Sequence, residues 1–270
     1  MRVATFNLHA GVDGWGRATR VLEHAKELDA DILICPETWR GDDGNDFYDE
    51  LATGLNMRGL FVPLARAERV MSDDGGSSWQ PRLAHLSGEY GLYFTEHRQL
   101  SRAQRRRRSG RPVESGAWGL SLLTRFEIED IHVESLGRLA RERVRRALIV
   151  ATLRDGEQRF HVLAIHGAHL SHGSYRQYRR VSELVAGLDP SLPVLLGGDF
   201  NSWRPLLRVL LPGWTSLARA RTWPSRHPHS QIDHLFGRGP WRRRASGAID
   251  AGSDHRALWA EVTLDQVSSI

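Results

Sequence analysis

The chain has 270 residues, 40% hydrophobic and 26% charged, with 37 Lys+Arg against 32 Asp+Glu and a net charge of +5. This is the composition of an ordinary soluble globular protein, long enough to bury a core without staples. Cys35 is the only cysteine, which excludes an internal disulfide framework and favours a reducing compartment. No apolar run approaches the roughly 20 residues of a bilayer span.

Lys26 is the only lysine, so the basic excess is arginine, and it points to a polyanionic partner such as nucleic acid or an acidic membrane surface. In chain order, residues 3–8 alternate like a strand and carry no leader-type apolar segment or small-residue cleavage site, so a cytoplasmic location is expected. Val21, Leu22, Ala25 and Leu28 recur at helical spacing, with Thr19 as the expected N-cap. Residues 31–35 read as a short buried strand closed by Pro36. A Gly- and Asp-rich loop over 41–45 leads to a helix over 47–55. Residues 66–116 carry the weakest signals: a turn at 72–78, a strand over 89–95, and an Arg-rich excursion over 101–110 without apolar periodicity. Strand signals then become dense, at 120–124, 147–153, 160–165, 193–197, 232–236 and 257–264, with a helix over 175–188. Strand-rich pairs with occasional helices predict sheets packed face to face rather than a doubly wound parallel sheet. Without a repeat or linker, one domain over 1–270 is expected.

The polar residues of interest stand at the ends of apolar runs, where strands deliver side chains to a common rim. They are Asn7, Glu37, His169, Asp199, Asn201, Asp233, Asp254 and His255. Taken singly each has an ordinary explanation as a turn or cap residue. Together they are hard oxygen donors, amides and two imidazoles, with no Cys among them. Such a set suits Mg²⁺ or Mn²⁺ better than zinc, and those metals neutralise phosphate charge and help make hydroxide.

Six segments carry a family resemblance: Thr5-Phe6-Asn7-Leu8, Cys35-Pro36-Glu37-Thr38-Trp39, Ala168-His169-Leu170, Gly197-Gly198-Asp199-Phe200-Asn201, Ile232-Asp233-His234 and Ser253-Asp254-His255. In this order they resemble the motifs of the endonuclease/exonuclease/phosphatase superfamily, the DNase I-like fold, and residues 118–125 and 222–225 occupy the expected places. The resemblance implies an α/β (α+β) fold, a four-layer α/β/β/α sandwich of two mixed β-sheets with outer helices, cutting phosphoester bonds with Mg²⁺ (or Mn²⁺). It implies metal binding by Glu37, helped by Asn7, with Asp254 completing the shell. Asp199 would orient and deprotonate the attacking water and Asn201 would place phosphate and water. His255, paired with Asp233, would donate to a phosphoryl oxygen, and His169 would contact the phosphate from the opposite side.

The chain departs from the family pattern at Pro36, where Gln commonly stands, and at His169, where the exonuclease III branch has Tyr. The second departure favours the DNase I, sphingomyelinase and phosphatase branches over abasic-site repair. Glu89 is a counterpart of the Glu that buttresses this His in DNase I, although a strand-edge surface position is the reading preferred for it. Several nearby residues are set aside. His161, His166 and His172 lack zinc-motif spacing, His227 and His229 are expected to face solvent, and Cys35 reads as a core thiol. Trp39, Trp203 and Trp223, close to motif residues, are candidates to line a substrate cleft by stacking, with core or rim packing the preferred reading for each. The leading expectation is a nucleic-acid endonuclease, a monomer without an integral membrane segment. It would dock the DNA or RNA phosphate backbone on Arg105–Arg108, residues 143–146, 176–180 and 241–244. Two alternatives are a phospholipid-headgroup or inositol-phosphate phosphatase or sphingomyelinase-like enzyme on anionic phospholipid, and a catalytically silent binding module.

Overall fold

The computed structural model describes residues 1–13, 17–70, 113–137, 139 and 144–265. The expected turn at 72–78, the strand over 89–95 with Glu89, the excursion over 101–110 and Arg143 therefore lie outside the described residues.

Two six-stranded mixed sheets form the body. The first contains β1 (Arg2–Thr5), β2 (Ile32–Gly41), β3 (Arg58–Val70), β4 (Val113–Thr124), β11 (Trp241–Asp250) and β12 (Arg256–Leu264), in the order β11-β12-β1-β2-β4-β3. The second contains β5 (Glu127–Ser135), β6 (Ala147–Asp155), β7 (Gln158–His166), β8 (Val194–Asp199), β9 (Thr215–Ser216) and β10 (Asp233–Arg238), in the order β5-β6-β7-β8-β10-β9. Each sheet has one parallel pair, β1–β2 in the first and β7–β8 in the second, and the rest are antiparallel. Four helices complete the described architecture: α1 (Val21–Leu28), α2 (Phe47–Gly54), α3 (Tyr175–Ala186) and α4 (Arg204–Leu210).

Strand alternation explains the layers. Along β6, Ile149, Ala151 and Leu153 join the large core shared with β1, β2 and β4, while Leu148 and Val150 join a second core with Tyr178 and Val181 of α3 and Leu207 of α4. A period of two sends alternate side chains to opposite faces, so a strand covered on both sides reads as a continuous apolar run. The sheets meet closely at Gly197, where a Cβ would stand 2.7 Å from Ile34 Cδ1 of the opposite sheet. On the first sheet's outer side, α1 buries Val21, Ala25 and Leu28.

Several sequence expectations need correction. Pro36 does not close β2; the strand runs on to Gly41 through a bulge between Pro36 and Thr38, which absorbs the proline by shifting register against β4. Thr19 does not cap α1: the N-cap is Arg20 and makes no side-chain cap bond. Asp46 does cap α2, accepting from Tyr48 N at 2.9 Å. Residues 143–146 are not a uniform basic surface, because Arg146 is buried with its guanidinium 5.3 Å from the Trp118 ring centre. Among the described residues no helix is long and apolar enough to cross a membrane.

Candidate active site

Register places the polar strand ends side by side. On the second sheet, His166 of β7 pairs in register with Asp199 of β8, and Asp199 with Asp233 of β10, so three adjacent strands present three titratable side chains in a row. The first sheet supplies Asn7 just beyond β1, Glu37 from the β2 bulge, and Asp254 and His255 from the turn before β12. Glu37 has a φ of 58°, a left-handed conformation that side chains seldom adopt. The bulge is what turns this carboxylate out of the strand's alternation.

Six of the eight expected residues line one cleft of about 630 Å³: Glu37, His169, Asp199, Asn201, Asp254 and His255. Asn7 and Asp233 lie buried behind it. The Asn7 Nδ2 group donates to Glu37 Oε1 at 3.3 Å and to Asp199 Oδ2 at 3.1 Å, while Asn7 Oδ1 accepts from His9 N at 3.0 Å. The second Glu37 oxygen accepts from Trp118 Nε1 at 3.3 Å. Asp199 Oδ1 accepts from the backbone N–H of Asn201 at 2.7 Å, and the Asn201 side chain donates to Gly167 O at 3.2 Å. A φ of 48° at Asn201 folds the chain back to make that contact.

Burial decides the electrostatics here. Asp199 is 1% exposed. Desolvation, followed by the neighbouring Asp233 carboxylate, pushes its pKa up to about 7, against a partly offsetting pull from His255. His255 Nδ1 meets Asp233 Oδ2 at 2.8 Å, and its Nε2 stands 4.0 Å from Asp199 Oδ2. Burial alone would discharge that imidazole. The surrounding carboxylates of Asp233, Asp254 and Asp199, with the hydrogen bond to Asp233, outweigh burial and hold it well above the ordinary histidine range. His255 is therefore cationic at neutral pH.

His169 stands apart from this buried group. It is the exposed N-cap of the 3-10 turn Leu170–His172, and its Nδ1 accepts from Ser171 N at 3.3 Å. A backbone N–H can only donate, so the ring proton sits on Nε2. Asp254 Oδ1 lies 3.5 Å from His9 Nδ1.

The structure adds residues that the sequence reading set aside or passed over. Buried His166 places Nε2 3.9 Å from Glu37 Oε1 and 3.8 Å from Asp199 Oδ2. Desolvation, with Arg146 and His255 nearby, holds it well below the usual range and therefore neutral. Its place depends on the parallel strands β7 and β8 ending flush on His166 and Asp199, a register that the sequence does not show. His9, on the turn after Asn7, lines the cleft, as does His229, whose ring meets Trp223 edge-on at 5.4 Å. His229 is exposed, as expected, but at the cleft. Trp39 is fully buried, whereas Trp203 and Trp223 stand at the cleft 56% and 37% exposed. Cys35 is a buried core thiol and His161 a buried partner of Thr152.

Ligand atoms of Glu37, His166 and Asp199 lie within 4.8 Å of one another, as do those of Asp199, Asp233 and His255. Crowded carboxylates, one of them pushed up toward neutral pH by burial and the neighbouring Asp233, together with Asp254 at the same cleft, form a hard-donor environment that a divalent cation would relieve. The residues present fit such a metal. Among the described residues lining the cleft, none is Arg or Lys. Of the expected docking arginines among the described residues, Arg176, Arg179 and Arg180 border a separate hollow beside α3, and Arg242–Arg244 are exposed on β11.

Known proteins share this architecture. The chain is similar to an endonuclease/exonuclease/phosphatase family protein from Leptotrichia buccalis, with 12% identity, a TM-score of 0.65, and 98% of this chain and 100% of that chain covered. The human Nocturnin catalytic domain aligns at 15% identity and a TM-score of 0.65, covering 98% of this chain and 93% of that one. A mannosyl-6-phosphatase from Bacteroides thetaiotaomicron aligns at 15% identity and a TM-score of 0.63, covering 98% and 100%. No curated protein sequence matches the chain. The sequence model of the Endonuclease/Exonuclease/phosphatase family matches residues 4–255, and with six ordered motifs gathered at and behind one cleft, the chain belongs to that family.

Proposed function

We propose that the chain is a divalent-metal-dependent phosphodiesterase acting on nucleic acid, as an endonuclease using Mg²⁺ or Mn²⁺. The observation that carries this reading is the Asp233–His255 pair, 2.8 Å apart, set against Asp199 in the same cleft as Glu37. The choice of nucleic acid rests on the net charge of +5 and the exposed arginines of α3 and β11.

A phosphodiester resists attack because its anionic oxygens repel hydroxide, so the site must surround them with positive charge while keeping one carboxylate available as a base. Glu37 and Asp254, with Asn7 behind them, would hold the cation, which supplies charge neutralisation at a phosphoryl oxygen and a more acidic water. Asp199, its Oδ1 fixed by the Asn201 amide, accepts the proton of the attacking water. His255 presents a cationic Nε2–H to a phosphoryl oxygen, and Asp233 fixes its ring through Nδ1. His169 presents its Nε2–H from the exposed side of the cleft.

The test uses supercoiled plasmid, RNA, phosphatidylinositol and sphingomyelin, each with Mg²⁺, Mn²⁺ or EDTA. Metal-dependent cutting of plasmid or RNA, abolished in Asp199→Ala and His255→Ala, is the expected result. Turnover of the lipids alone would move the substrate to phospholipid headgroups. Absence of cleavage with every substrate and metal would point to a silent module.

A further inference from the structure

Among the described residues, four large hydrophobic side chains are exposed: Tyr175, Trp203, Val209 and Trp223. Two of the four are tryptophans, and both stand on the catalytic cleft. An indole left in water beside a reacting centre is a surface awaiting a flat apolar partner.

The backbones beneath these indoles are firmly held. Trp223 N donates to Ser230 O and Ser230 N to Trp223 O, both at 3.0 Å. Thr222, the residue before Trp223, accepts from Asp233 N at 3.3 Å, which ties this arm of the cleft to the carboxylate that positions His255. Trp203 caps α4 two residues after Asn201, its carbonyl accepting from Leu206 N at 3.1 Å. The preceding Ser202 carbonyl bonds His234 Nε2 at 2.9 Å. Both rings therefore extend from preorganised backbone close to the residues assigned to the phosphate.

The remaining wall of this arm says which flat group fits. Leu170 and Ile232 are apolar, and the Ser171 and Ser230 hydroxyls are already bonded to His169 and His229. A sugar ring would need its hydroxyls met by several polar side chains, whereas the two large exposed faces on this cleft are indoles. The lack of Arg and Lys among the described lining residues disfavours a grip by charge alone. A nucleobase asks for little beyond a ring to stack upon, and every base offers a π-face. Within a duplex that face is covered by neighbouring base pairs, so the indoles reach it only in an unpaired strand.

We propose that Trp203 and Trp223 form a stacking platform for an unpaired nucleobase next to the scissile phosphate, making the enzyme selective for single-stranded over duplex substrate. This rests on the nucleic-acid reading above and adds to it which part of the strand the cleft holds.

The experiment compares kcat/KM with Mg²⁺ or Mn²⁺ on one oligonucleotide in three forms: single-stranded, fully paired, and single-stranded but abasic. Wild type, Trp203→Ala, Trp223→Ala and the two Trp→Phe variants are assayed. Wild type should prefer the base-bearing single strand by roughly tenfold or more, the scale of stacking one base. Each alanine variant should move that preference toward unity, chiefly through KM, and phenylalanine should restore much of it. As a readout independent of turnover, titrating a dinucleotide in EDTA should quench indole fluorescence in wild type and less in the alanine variants. Equal rates on paired and unpaired strands, or an alanine series that keeps the wild-type preference, overturns the platform while leaving the nuclease reading intact. A protein that cuts no nucleic acid in any form overturns both.

Discussion

The floor of the cleft and its rim are built on opposite terms. On the floor, Asn7, His166, Asp199, Asp233 and His255 are buried, and every one touches another charged or polar member of the group. On the rim, His169, Trp203, Trp223 and His229 are exposed; His169 bonds Ser171 and meets the His172 ring, and Trp223 meets His229. The electrostatics of the floor come from desolvation and neighbouring charge, which move pKa values in opposite directions on Asp199 and His166. At the rim, the proposed selectivity would come from ring shape and position. A change at the floor should therefore alter protonation, metal affinity and rate together, while a change at the rim should alter substrate affinity.

The strongest challenge to that division is Asp199→Asn, which keeps the shape and removes the base. Its rate should fall by about 10²- to 10⁴-fold, the usual worth of general base catalysis, with substrate affinity little altered. Retention of the rate in single-turnover assays would remove Asp199 from the mechanism. Next is His166→Ala at the back of the floor. By analogy with groups that support metal-binding carboxylates, it should cost about 10- to 100-fold in metal affinity or activity, read by titrating Mn²⁺ calorimetrically. A variant with unchanged metal affinity would reduce His166 to filler.

His169→Ala tests the rim. Losing one hydrogen bond to an anion costs about 1.5 kcal/mol, roughly tenfold in kcat/KM, and the loss should appear mainly in KM. A loss confined to kcat would move His169 to the floor's class.

The smallest effect is on stability. Asp199 has a folded pKa near 7 against a reference of 3.8, so its ionised form is the costly one when folded. The stability contributed by its protonated form is lost as pH rises through about 7. Asp199→Asn in EDTA should therefore melt a few degrees above wild type at pH 8, at roughly 2–4 °C per kcal/mol for a chain of this size, with the gap narrowing toward pH 5. A lower melting temperature for the variant at pH 8 would mean that the attraction of His255, not burial and the crowding by Asp233, dominates the pocket.

What could be read from the amino-acid order follows the same division. Strands covered on both faces, such as β6 and β8, announce themselves as apolar runs, and their polar terminal residues pick out Asp199 and Asn201 directly. β3 gives no such signal. It contains Pro63 at a register shift and fully buried Arg69, which bonds Glu114 and the Ala10 carbonyl and packs over Trp39 and Phe47. An arginine satisfied by tertiary partners looks like a surface residue in sequence. His166 escaped because its importance is lateral: it depends on which residue of the neighbouring strand it faces, and that is set by register. Which of the three indoles reaches the cleft was hidden for a related reason, since whether a tryptophan turns inward like Trp39 or outward like Trp203 depends on the layer above it. The proline at 36 misled because a bulge accommodated it.

Asn7 touches a carboxylate from each sheet, Glu37 on its own and Asp199 on the other. Neither half of the sandwich owns the site, so the gap between the layers is itself a catalytic dimension, gauged by a single amide at one end and by the bare Gly197 backbone against Ile34 at the other. A shim as thin as one methyl group at position 197, far from any solvent, would detune the chemistry by spreading the layers. At Gly197 the spacing of the two sheets has almost no room to change.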